Sequence, residues 1–204
     1  MSNDSSQQMT RRQPRQARSR ALVDAIEEAA AHVLVTHGYE FAGTCVIADR
    51  AGVSIGSLYQ YFGGKDAIFD ALTQRLLGEL VEAIQDATSA DPGASLAGRA
   101  EATLLACFSV VSPYPSVLRQ LSAINTASFS QRLEFARASA RATAEALLQE
   151  RSAALVVSDI PLAARICVEL CEGLVLNLKP GDDLQALARE GGRAVSRYIA
   201  GAAI

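Results

Sequence analysis

The stretch TCVIADRAGVSIGSLYQYFGGK, residues 44–65, reads as two short helices joined by a glycine turn. Residues 45–51 form a helix-favouring run, and Gly52 after them can take the left-handed backbone angle that ends a helix at little cost. Ser54 carries an oxygen suited to accept from a free backbone N–H and so to cap the helix that follows. Ile47, Ala48, Ala51, Val53, Leu58 and Phe62 supply apolar spacing for packing the pair onto neighbours, and Ala48 and Gly52 are small enough for a close crossing. Ser54, Ile55, Gly56, Ser57, Tyr59, Gln60, Tyr61 and Lys65 are left for the outer face. A face of this kind, presented by a helix beyond a sharp corner, suits the major groove of double-stranded DNA.

Residues 47–69, IADRAGVSIGSLYQYFGGKDAIF, resemble the helix-turn-helix signature of the TetR family of bacterial repressors, with I-A, A-G-V-S, G-x-L-Y-x-Y-F and a lysine three residues later. The likeness extends upstream through Gly38 and Tyr39 and covers roughly residues 18–70. It implies an all-α chain: an N-terminal three-helix DNA-binding unit followed by a larger helical domain for effector binding and dimerisation, about nine helices together. Position by position, it implies that Tyr59 and Tyr61 lie along the sugar-phosphate backbone, that Thr44 contacts it, and that Lys65 meets a phosphate with its ammonium and the free amides beside it. Aromatic packing is the alternative for the two tyrosines. By chemistry, Ser57 and Gln60 can donate to base edges, Ile55 can press on a thymine methyl, and Gly56 permits close approach. Ser54 is read as a cap that can also reach a phosphate. Gly43 stands where the family usually has serine or threonine, so the helix beginning at Thr44 lacks a side-chain cap.

Charge is distributed unevenly. The chain has 204 residues, half of them hydrophobic, and a formal charge of −3, which at first conflicts with binding to phosphates. Yet Arg11, Arg12, Arg15, Arg18 and Arg20 come with no acid between them, and the acidic residues are spread through the rest. Residues 1–16 are therefore read as a disordered basic arm, either following phosphates or the minor groove, or simply solvated. Residues 17–65 form the helix-turn-helix domain and 66–204 the effector and dimerisation domain. No apolar run is long enough to span a bilayer and no signal-peptide core precedes the first helix, so a cytoplasmic location without membrane contact is expected.

Helical spacing recurs along the remainder, with no strand of convincing alternation and no internal repeat. Leu22, Ile26, Ala29 and Val33 mark a first helix over residues 17–37 that stops at Gly38. A long helix carrying Ile68, Phe69, Leu72, Leu76, Leu80 and Ile84 ends near Asp91, Pro92 and Gly93. Helices follow over about 95–111, up to Ile124 after the corner at Pro113 and Pro115, over 126–151, over 161–178 and over 182–200. In the penultimate helix Leu162, Ile166, Leu170, Leu174 and Leu178 make a four-residue stripe, flanked by Val168 and Val175. Together with Val195 and Tyr198 of the last helix, that stripe is the expected dimer interface, as the family resemblance implies; burial within one chain is the alternative. A twofold dimer in turn predicts a palindromic operator.

Two constellations bear on catalysis. Gly52-Val53-Ser54-Ile55-Gly56 fits G-x-S-x-G, but a nucleophile elbow needs a strand before it, and a helix stands there. His32 and His37 are the only histidines and both fall on the first helix, so no catalytic triad is expected; no cofactor and no metal is expected either. Cys167 and Cys171 share a helix face, a spacing that could hold a metal if other ligands converged, but nothing else in the sequence nominates such ligands and the two are read as core thiols; Cys45, near a helix start, is a candidate redox switch. The resemblance implies a cavity among the middle helices that takes a small molecule and releases DNA. Phe108, Tyr114, Leu118, Asn125, Phe129, Leu133, Cys171 and Asn177 are the candidate lining, mostly apolar and equally compatible with plain core. The expected function is a ligand-responsive homodimeric repressor without a catalytic step. An activator or architectural DNA-binding protein, or a thiol redox regulator, are the alternatives.

Overall fold

The computed structural model describes residues 6–124 and 127–201, which hold nine α-helices, one short 3-10 helix and no strand. The chain divides into two compact units, Met1–Leu72 and Thr73–Ile204. The division falls inside the long fourth helix rather than at its start, because Ile68, Phe69 and Leu72 are core residues of the first unit.

The first unit comprises α1 (Ser6–Phe41), α2 (Thr44–Ala51), α3 (Ile55–Tyr59) and the opening turns of α4 (Lys65–Ser89). Helix α1 starts at Ser6, not at residue 17, so the segment read as a disordered arm is helical from that point. Glutamine, arginine, methionine and alanine dominate residues 7–18, and these strong helix formers outweigh the one backbone bond that Pro14 removes. The regular backbone breaks at Gly38, whose φ of 77° and ψ of 168° are those of a glycine stop. Ile26, Leu34, Ile47, Leu58, Ile68 and Leu72 are fully buried and bring one apolar face of each helix to a common core.

The second unit continues α4 and adds α5 (Leu96–Val111), α6 (Val117–Ile124), α7 (Ala127–Glu150), α8 (Ile160–Leu176) and α9 (Leu184–Ala200). Ser95, Asp159 and Asp183 cap α5, α8 and α9 by accepting from backbone N–H groups three residues on. Pro161 sits in the first turn of α8, where its missing N–H costs nothing. Helix α5 packs along α9, and α7 along α8. The α5–α9 crossing is close because two glycines face it: a Cβ on Gly191 would stand 2.5 Å from Leu104 Cδ1, and one on Gly192 2.7 Å from the Ala97 carbonyl oxygen. Leu148, Ala163, Ala164, Cys167, Val195 and Ile199 form a second buried cluster where α7, α8 and α9 meet. No helix among the described residues is long and apolar enough to cross a membrane.

Candidate functional site

The α2–turn–α3 corner is built as its residues dictate. Gly52 has φ 67° and ψ 28°, and its N–H reaches back to the carbonyls of Ala48 and Asp49, closing α2. Gly43 stands at the head of α2 in extended backbone and offers no side-chain bond. Ser54 caps α3, its Oγ accepting from the Ser57 N–H at 3.0 Å and pairing with Ser57 Oγ at 2.8 Å. Within α3 only Leu58 is buried, so this short helix is anchored by one side chain and a cap. Ile55, Gly56, Tyr59, Gln60 and Tyr61 are exposed together. Exposing two tyrosines and an isoleucine to water has no packing benefit, which marks the face as one that meets something else.

Hydroxyl bonds tie this face together. Thr44 Oγ1 and Tyr59 Oη lie 3.1 Å apart, joining the start of α2 to the end of α3. Tyr61 Oη donates to Ser19 Oγ at 3.2 Å, and Ser19 is flanked on α1 by the exposed Arg18 and Arg20. The tyrosines therefore stand out from the core rather than pack into it, and the last two arginines of the basic run lie beside Tyr61.

Lys65 is engaged within the unit. Its Nζ donates to the Tyr39 carbonyl at 2.6 Å and lies 3.7 Å from the centroid of the Tyr39 ring. Tyr39 packs on Phe69, with centroids 5.3 Å apart, and donates its phenol hydrogen to Asp66. That bond to the Asp66 carboxylate, helped by partial burial, pushes the Tyr39 phenol up to about 12, so it stays a neutral donor. The reading of the sequence missed Tyr39 as a functional support. The signal available was the spacing that places an aromatic at the end of α1 and a lysine-aspartate pair at the start of α4. The side chain of Ser54, the serine of the G-x-S-x-G match, bonds to Ser57 and to no histidine among the described residues.

In the second unit a cavity of about 190 Å³ is walled by α4, α5, α6, α7, α8 and α9. Of the expected lining, Leu118, Leu133 and Cys171 border it. Phe108 and Phe129 are buried elsewhere in the core, Tyr114 lies in the turn before α6, and Asn177 is spent as the exposed C-cap of α8, its Nδ2 donating to Gly173 O at 2.8 Å. None of those four borders the void. Asn125 lies outside the described residues. The sequence reading missed Arg99, Thr103 and Cys107, successive turns of one face of α5, and the α4 wall of Leu77, Leu80, Val81 and Ile84. Arg137 and Glu172 close one side as a two-bond pair, Nε to Oε2 at 2.9 Å and a terminal nitrogen to Oε1 at 2.6 Å; the Glu172 carboxylate raises the Arg137 guanidinium above its ordinary range.

Three thiols also border the cavity. Burial pushes Cys107 up to about 12, Cys171 to about 12 and Cys167 to about 11, so all three are neutral apolar groups at ordinary pH. Among the described residues no group of three or more histidine, cysteine or acidic side chains could hold a metal. Cys45 is exposed, and the first unit contains no second cysteine.

Of the residues expected at a subunit interface, Leu162, Leu170 and Tyr198 are exposed, while Ile166 and Leu174 are half-covered. Leu178 and Val195 are corrected: both are buried within the chain, Val195 in the cluster of α7, α8 and α9.

Comparison with known proteins agrees with this geometry. Residues 26–72 match the family model described as bacterial regulatory proteins, tetR family. A stretch of 59 residues is 46% identical to the HTH-type transcriptional activator FasR of Mycolicibacterium smegmatis, covering 29% of this chain and 27% of that relative's length. Solved structures share the fold over most of the chain. The fatty acid degradation regulator FadR from Bacillus halodurans superposes with a TM-score of 0.70 at 21% identity, covering 85% of this chain and 94% of its own. A regulatory protein in the tetR family from Rhodococcus RHA1 gives 0.72 at 18% identity, covering 89% and 98%. Regulators of this family bind DNA and are not enzymes. Residues 26–72, with the capped reading helix, thus resemble the DNA-binding segment of the tetR family of bacterial regulatory proteins, and the described helices share the fold of these solved regulators.

Proposed function

We propose that this protein represses transcription by binding a palindromic operator as a homodimer and leaves the DNA when a small, largely hydrophobic effector fills the cavity of the second unit. The observation that carries the DNA-binding reading is the exposed α3 face, where polar and aromatic side chains are held by hydroxyl bonds and a single buried leucine. Thr44, Tyr59 and Tyr61 present hydroxyls for the sugar-phosphate backbone, Lys65 keeps two ammonium hydrogens for a phosphate, and Ser57, Gln60 and Ile55 face the base edges. Gly56 lets the backbone come close, and Ser54 combines its cap with a phosphate contact. Helix α1, helical from Ser6, carries the basic run toward the same face through Arg18 and Arg20. The exposed Leu162, Leu170 and Tyr198 support a twofold contact through α8 and α9. Occupation of the cavity can shift the protein toward a released state only if the effector binds that state more tightly.

A second reading is activation at the same operator, favoured by the name of the relative from Mycolicibacterium smegmatis. Pulling genomic fragments down with the full chain, sequencing them and measuring a reporter behind the recovered site separates the two. Repression predicts that deleting the protein raises the reporter; a fall instead replaces repression by activation, and recovery of no enriched sequence defeats both. At the recovered site, Gln60→Ala should cost about 1–3 kcal/mol at particular base pairs and little elsewhere.

A further inference from the structure

The phenol of Tyr61 donates to Ser19 Oγ at 3.2 Å in a solvent-exposed bond, tying the chain just after α3 to α1. Its direction agrees with the chemistry of the pair, because a phenol is the more acidic hydroxyl and a serine oxygen the better acceptor. Phosphodiester and deoxyribose oxygens accept hydrogen bonds and donate none. A side chain therefore bonds to the DNA backbone only with a hydrogen of its own. Tyr61 has one such hydrogen, and Ser19 holds it.

Ser19 can supply the missing donor. Its hydroxyl carries one hydrogen beside two lone pairs, and the Tyr61 phenol occupies a lone pair. Among the described residues the Ser19 side chain has no other partner, so its hydrogen is left for a group outside the chain. Accepting from a phenol also makes that hydroxyl a stronger donor, since successive hydrogen bonds polarise one another. Arg18 and Arg20 flank it, each turned about 100° around α1, and both are exposed. Neither guanidinium pairs with a carboxylate among the described residues. One directed neutral donor between two unpaired cations suits a phosphate, whose oxygens accept from several directions.

We propose that Ser19, rather than Tyr61, donates to a backbone phosphate of the operator, that Arg18 and Arg20 neutralise the phosphates on either side, and that Tyr61 is a positioning residue for the Ser19 hydroxyl. This rests on the reading of the α3 face as a DNA-contacting surface and extends that surface onto α1.

Fluorescence anisotropy of the full chain with the duplex recovered from the genomic pulldown, over a salt series, tests the relay. Ser19→Ala should weaken binding about three- to tenfold, the loss of one hydrogen bond, without changing the slope of log affinity against log salt. Ser19→Thr, which keeps the hydroxyl, should restore the affinity. Arg18→Gln and Arg20→Gln should each lower the slope by about one. Tyr61→Phe should weaken the wild type and have no further effect on Ser19→Ala, because both changes break the same chain of bonds. Neutral methylphosphonates placed at single phosphates should reveal a position that weakens wild type and leaves Ser19→Ala as it was; a merely structural serine would reveal none. Ser19→Ala bound as tightly as a wild type that does bind overturns the relay alone. So does an equal Tyr61→Phe loss in both backgrounds, which would put the phenol itself on the phosphate. Salt slopes unchanged in both arginine variants overturn the phosphate site on α1. A wild type that binds no duplex overturns the relay and the DNA reading together.

Discussion

The ammonium of Lys65 sits over the Tyr39 ring and donates to the Tyr39 carbonyl, so a side chain assigned to phosphate also clamps the end of α1 to the start of α4. Replacing it should therefore act twice. Lys65→Met is expected to weaken binding to all DNA sequences alike and to lower the slope of log affinity against log salt by about one, read by fluorescence anisotropy over a salt series. It should also lower the urea midpoint of the free protein, which a pure phosphate contact would not. Tyr39 gives a pH signature. Its folded phenol is raised from 10.0 to about 12 by the bond to Asp66, so the bond stabilises the fold in full below pH 10 and loses its effect as pH rises through about 12. Tyr39→Phe should cost about 0.5–1.5 kcal/mol at neutral pH. The gap in urea midpoint between wild type and Tyr39→Phe should close across that alkaline range; a gap constant with pH would remove the Asp66 bond as its cause.

Helix packing supplies the next constraint, because α9 meets α5 through two glycines. Adding a methyl at Gly192 would place it 2.7 Å from the Ala97 carbonyl oxygen and 3.0 Å from the Glu101 nitrogen, both backbone atoms that cannot step aside alone. Alanine normally gains about 1 kcal/mol over glycine in a helix interior. Here the overpacking, about 1–3 kcal/mol, outweighs that gain. Gly192→Ala should thus lower the thermal midpoint, whereas Gly78→Ala in α4, where a Cβ meets nothing within 4 Å, should raise it. Calorimetric scans of the two variants check the pair, and a Gly192→Ala protein as stable as wild type would mean that α5 and α9 yield. The helix ends at the corner were legible from single residues, Gly52 as a stop and Ser54 as a cap, and the starts read near 95, 161 and 182 fall within two residues of the observed ones. The beginning of α1 was not, because a polar run with one proline gives no apolar period to follow.

At the scale of the whole molecule, the formal charge of −3 coexists with a basic run on one helix, and charge distribution rather than net charge decides the reading. Subunit association belongs here too. Leu162 and Leu170 are exposed on α8 at 49% and 38%, on the face proposed for the twofold contact. Leu170→Asp should shift the protein toward monomers in sedimentation velocity and lower operator affinity by at least about tenfold, since each half-site would then be bound alone. A variant that stays dimeric would move the interface elsewhere.

The sequence by itself determined the DNA-reading corner, the all-helical class and most helix ends, because these depend on neighbours three or four residues apart: a left-handed glycine, a serine cap, an apolar repeat. Only the tertiary structure decided which side chains line the cavity and which are left for a partner. Phe108, a plausible lining residue by chemistry, is fully buried and does not border the cavity, and Arg99, an ordinary charge by sequence, is a buried residue of its wall. Leu178 and Val195 share the chemistry of Leu170 but lie inside the chain. Such differences follow from the rotation of each helix about its axis. That rotation is fixed by contacts such as the Gly191–Gly192 crossing between residues nearly a hundred positions apart, which no local pattern records.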